Sequence, residues 1–187
     1  MKTKSKALLL ALCAVLLVAA SVLGTLAYLT SQDQVTNTFT VGKVKINLDE
    51  APVNEYGEEV EGNRVKENTY KLIPGHTYTK DPTITVDDES EDCWLFAKIE
   101  NGLGNFGTIN VDTNKWTLVT GTTNVYAYYV AVSAEDEPVV VFSEFTFASN
   151  ADPSQYNDKQ IVVTAYAVQK DTFATAEAAW AAANFGA

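Results

Sequence analysis

Apolar side chains fall at every second position through most of this chain, and that alternation constrains the fold more than any other feature. Val44, Ile46 and Leu48 alternate with Lys43, Lys45 and Asn47, while Phe39 and Val41 precede them in the opposite phase across Gly42. The slip at Gly42 predicts a bulge or bend within one long strand. Residues 83–86, 94–100, 116–120, 125–132, 139–147 and 161–169 read as six further strands. They are rich in the β-branched and aromatic residues that suit a pleated, half-buried surface. Turn-forming stretches separate them at Pro74-Gly75, Asp81-Pro82, residues 101–105, 133–138 and 149–158. Residues 49–70 are acidic and poor in large apolar groups, so they read as a mobile connection or a weak edge hairpin. The one helical pattern after the N-terminal segment is the alanine-rich stretch 175–184, with Thr175 as N-cap, Glu177 near the positive end and Gly186 beyond the last turn. So short a helix needs an anchor, which Trp180 and Phe173 supply. Strands in this number with one short helix predict an all-β fold, an antiparallel sandwich or jelly roll.

The N-terminus has a different character. Lys2, Lys4 and Lys6 precede an apolar run over residues 7–23, the charged and apolar regions of a secretory signal helix. A run of this length lies at the lower limit for spanning a bilayer, so an uncleaved anchor is the competing reading. Small residues at Thr25 and Ala27 favour cleavage after Ala27, with Tyr28 the first residue of the mature domain, residues 28–187. Cys13 lies inside the apolar run, without the small residue before it that lipidation needs.

Cleavage there removes three lysines and no acid from a formal charge of -11, leaving -14. So acidic a surface repels nucleic acid and anionic lipid. The remaining 160 residues suit one domain, burying roughly 70% of the unfolded surface. Cys93 is the only cysteine left, so no intramolecular disulfide forms. Beside Trp94-Leu95-Phe96 it reads as a small buried hydrophobe.

Chemistry-bearing motifs are sparse. His76 is the sole histidine, which removes paired-imidazole zinc sites and leaves any nucleophile one candidate base, set in a Pro-Gly turn. The run Asp87-Asp88-Glu89-Ser90-Glu91-Asp92 lacks EF-hand spacing; it reads as a solvated loop, with weak calcium binding the minority reading. Gly102-Leu103-Gly104-Asn105-Phe106-Gly107 is followed by neither a helix nor a closing Lys-Ser/Thr and reads as a turn. Tyr126, Tyr128, Tyr129, Phe142, Phe145 and Phe147 alternate within strands, which favours core packing over a carbohydrate platform. No pair of carboxylates is singled out for glycoside hydrolysis. An enzyme is not expected, nor a cofactor beyond a weakly held calcium ion.

Two stretches carry a family resemblance. Residues 23–30, followed by Asn37-Thr38-Phe39-Thr40-Val41-Gly42-Lys43-Val44-Lys45-Ile46-Asn47-Leu48, resemble the export region of TasA/camelysin-like Gram-positive proteins processed by the signal peptidase SipW. Leu72-Ile73-Pro74-Gly75, leading to residues 80–86, is similar to a second signature of that family. The resemblance implies SipW-dependent export of a jelly-roll domain to the cell surface or biofilm matrix, as a subunit of an extracellular fibre or a component bound to one. It implies self-association, or pairing with another exported protein, by β-strand addition. The donor would be residues 28–40, with Tyr28, Leu29, Val35 and Phe39 filling an acceptor groove. Through camelysin the family also carries a metalloendopeptidase activity, the alternative reading of function.

Overall fold

The computed structural model describes Ser5, Lys6, residues 11–17, residues 43–183 and Phe185. The chain divides into two compact units, Met1–Thr40 and Val41–Ala187. In the first, residues 11–17 are helical. Among the described residues no helix is long and apolar enough to cross a membrane. The cleavage site at Ala27 and Tyr28 and the donor positions Tyr28, Leu29, Val35 and Phe39 lie outside the described residues.

The described residues of the second unit form ten strands: β1 (Ile46–Asp49), β2 (Thr77–Thr79), β3 (Thr83–Val86), β4 (Cys93–Asn101), β5 (Gly107–Ile109), β6 (Trp116–Leu118), β7 (Val125–Tyr128), β8 (Val139–Val140), β9 (Glu144–Phe147) and β10 (Ile161–Gln169). They form three antiparallel sheets, ordered β1-β3-β8, β10-β4-β7-β6 and β2-β9-β5. The first and third are one layer interrupted at a single point. Thr79 lies opposite Glu144 and Thr83 opposite Val140 in an unbroken pairing offset. Between those pairs Lys80 N donates to Ser143 O and Val141 N to Pro82 O. Pro82 has no N–H to return to Val141, so the ladder lapses there. This is why the stretch 139–147, expected as one strand, becomes β8 and β9.

The layer β1, β2–β3, β8–β9, β5 packs on the layer β10, β4, β7, β6. Their shared core contains Ile84 and Val86 from the first layer, and Cys93, Leu95, Ala97, Ile99 and Trp116 from the second. Trp116 also ties the layers through a hydrogen bond from its Nε1 to Val140 O (3.0 Å). The chain crosses between the layers at the β3–β4, β4–β5, β5–β6, β7–β8 and β9–β10 steps, the winding of a jelly roll. A second cluster, around Tyr78, Phe145 and Phe147, fills one end.

The C-terminal helix (Ala176–Ala183) covers the outer face of the second layer, where Ala179 and Trp180 meet Phe96, Val125 and Ala127. Thr175 caps it as expected, its Oγ1 accepting from Ala178 N (3.2 Å). The strand expected over 125–132 ends at Tyr128, because Tyr129 and Val130 bulge out before Val132 bridges back to Cys93. Residues 49–70 form few ladders, yet they are fastened down. Glu50 bridges Val65 and Val53 bridges Glu59. Arg64 binds Asp49, Asp81 Oδ2 (2.9 Å) and Thr83 Oγ1 (2.7 Å).

Candidate functional site

A sheet edge is a row of backbone donors and acceptors, and folded proteins normally blunt it. Three of the four edges here are blunted. In β1 the backbone of Ile46 and Leu48 faces away from β3, but Lys66 Nζ donates to Leu48 O (2.6 Å) and the Glu50–Val65 bridge covers the next step. β5 is three residues long, with Gly107 O accepting from Asn101 Nδ2 (2.6 Å). β6 is equally short, with Trp116 N bonded to Asp112 O (2.9 Å) at one end. At its other end Thr120 Oγ1 donates to the Glu177 carboxylate (2.6 Å).

The fourth edge is different. β10 runs nine residues against β4. Gln160 O accepts from Gly102 N and Lys170 N donates to Asp92 O, both 2.8 Å, so the even-numbered residues hold the ladder. The backbone groups of Ile161, Val163, Ala165 and Ala167 therefore point outward, and no hydrogen bond reaches them among the described residues. β10 contains no charge and no proline, two of the usual devices for blunting an edge. The inward side chains of these same four residues are only partly buried, as are Val44, Ile46 and Leu48 on the opposing layer. By contrast Cys93, Leu95 and Ala97 of β4 are fully covered. The seam between β1 and β10 is thus apolar and incompletely closed.

At the Ile161 end the seam widens into a cleft of about 920 Å³. Leu48, Tyr70, Leu72, Phe145, Tyr156 and Val163 line it, with Lys66, Glu67, Lys71, Asp158 and Lys159 also on its walls. Lys80 and Glu50, also lining it, form an ion pair at 2.6 Å with side chains only 11% and 6% exposed. Burial, with Glu50 and Asp81 close by, pushes the Tyr70 phenol above its ordinary pKa, and its hydroxyl donates to Thr79 O (3.0 Å). A smaller hollow of about 270 Å³ lies beside the C-terminal helix, against Trp94, Leu118, Tyr128 and Tyr129.

The residues singled out by chemistry do not converge. His76 is half-buried: its Nε2–H donates to Tyr56 O (2.9 Å), and its ring meets Tyr78 edge-on at 4.5 Å. Cys93 is fully buried, and desolvation raises its thiol pKa to about 11. The acidic run is pulled apart, Asp87 pairing with Lys45 (2.7 Å) and Asp92 with Lys170 (3.3 Å). Among the described residues no group of three or more His, Cys, Asp or Glu side chains is placed to hold a metal ion. Residues 102–106 form a turn and a 3-10 helix (Gly104–Phe106), with Leu103 N bonded to Asn101 Oδ1 (3.1 Å), and Gly107, read as part of the turn, opens β5. Phe142, Phe145 and Phe147 are core residues, while Tyr129 is 58% exposed.

The open edge went unread in the sequence because central strands such as β7 are uncharged too. The fold and edge define a jelly-roll sandwich with one sheet margin unpaired among the described residues. No protein-family model, no curated protein and no solved structure matches the chain.

Proposed function

We propose that this chain is an exported structural protein of the cell surface or extracellular matrix that joins its neighbours by β-strand addition. The observation that carries this reading is the β10 edge: nine residues long, uncharged, and unpaired among the described residues, in a fold that caps its other three edges. A strand laid along β10 gains main-chain hydrogen bonds from alternate residues, and its side chains enter the seam against Ile161, Val163 and Ile46. Residues 28–40 have the composition such a strand needs, with Tyr28, Leu29, Val35 and Phe39 as apolar members and Asp33 as the one charge. The resemblance to TasA/camelysin-like proteins points the same way.

The test is electron microscopy of the purified protein, in three forms. The intact chain is expected to form fibres. Removal of residues 28–40 abolishes them if that segment is the donor. Ala165→Pro removes one outward N–H without touching the β4 ladder, so the fold persists and assembly stops. Fibres from Ala165→Pro as abundant as from the unaltered chain would place the contact elsewhere.

A further inference from the structure

The geometry of β10 also fits a second copy of itself. We propose that two chains pair through β10 in antiparallel, two-fold register centred on Ala165. This closed dimer rests on β10 alone, and it occupies the backbone groups that strand addition would use.

The argument starts from parity. The unpaired groups belong to odd-numbered residues, so an antiparallel partner must align odd with odd to form the close hydrogen-bonded pairs. Centring on Ala165 does this, setting Ala165 against its own counterpart, Val163 against Ala167 and Ile161 against Gln169. Val163 then faces the smaller Ala167 at two symmetric points, and the two small Ala165 side chains meet at the centre. On the outer face Val162 meets Val168 and Thr164 meets Tyr166, pairs of the kind that stabilise sheets. No like charges oppose one another within the nine residues, because β10 has none. Just beyond the strand ends the same register brings Lys159 near Asp171 of the second copy, which lies in the 3-10 turn Lys170–Thr172, at both ends by symmetry. Both residues are exposed. The arrangement is isologous, so it closes at two chains and cannot propagate. It would hold the protein soluble until a donor strand displaces it.

Cysteine mapping in the full chain, with Cys13→Ala and Cys93→Ala, tests the register. In a close antiparallel pair the Cα atoms lie about 5.5 Å apart, within disulfide range. Ala165→Cys is expected to give a disulfide-linked dimer about tenfold faster than Val163→Cys alone, while Val163→Cys with Ala167→Cys restores linkage. Equal linkage at 163 and 165, or none at 165, overturns the register. A second measurement leaves the cysteines untouched. Lys159→Asp is expected to weaken dimerisation roughly tenfold in sedimentation equilibrium, and adding Asp171→Lys to recover it. Failure of the double variant to recover, or a chain monomeric at every concentration, overturns the proposal. Deleting residues 28–40 leaves the dimer intact while removing fibres, so the two readings fail separately.

Discussion

Cys93 shows how one residue reports on the whole core. Its thiol is enclosed between the layers and its pKa is raised to about 11, chiefly by burial and then by Asp92. The neutral form is the one the fold favours. Stability from this group is therefore complete below the unfolded thiol pKa and drains away as pH rises toward 11. In the native protein Cys93 is expected to stay unreactive toward a thiol reagent at pH 8 and to react at once in denaturant; fast native labelling would contradict the packed core. Its neighbour sequence already suggested a buried thiol. The Glu50–Lys80 pair was not legible, because nothing local distinguishes Glu50 from the solvated acids that follow it. Lys80→Met leaves a buried carboxylate without its partner and is expected to cost about 3 kcal/mol in urea denaturation. Adding Glu50→Leu should return much of that loss, since a well-packed apolar pair often matches a buried ion pair.

At the scale of elements, alternation found the long strands, and the short β3 and β6 with them, but missed β2 and β5. β4 and β10 were located to within a residue or two because period-two patterning persists over nine positions in each. β2 and β5, at three residues, are too short to show a period, and β5 begins inside a glycine-rich stretch that reads as a turn. Their existence depends on β9 lying between them, a tertiary fact. Gly102 marks the joint between β4 and β10. A Cβ there would stand 2.5 Å from Gln160 O, a backbone atom held in the ladder's first hydrogen bond. Gly102→Ala is expected to destabilise the protein by roughly 2–4 kcal/mol, because the clash is with main chain and cannot relax through a rotamer. Gly104→Ala is the control: it has open space around it, and only its φ of 55° resists the change. Equal losses for the two would show that close approach does not matter at this joint.

For the whole molecule, charge and edge work against each other. The proposed strand addition at β10 would bring together copies that, on the proposed loss of residues 1–27, each carry a formal charge of -14. At low ionic strength that repulsion extends over tens of ångströms, and near physiological salt it shrinks to about 8 Å. Salt should therefore accelerate assembly even though the seam itself is apolar. Acid acts through the same quantity, since the pI of the full 187-residue chain is about 4.4 and the loss of three lysines lowers it further. Whether the fold survives there depends on carboxylates that stay ionised below the usual range. Asp87 is lowered by its hydrogen bond to Lys45, Asp136 by Ser133 and Asp152 by Ser154. For each the folded pKa is depressed, so its contribution is present above the unfolded carboxylate pKa and is lost only as pH falls through the lower folded value. Repulsion thus vanishes at a pH where these loop-closing contacts persist. Light scattering and circular dichroism, followed together, are expected to show fastest assembly between about pH 4 and 5 with the β signal unchanged. Assembly that begins only after the β signal collapses would mean that unfolded chains, not β10 edges, are what associate.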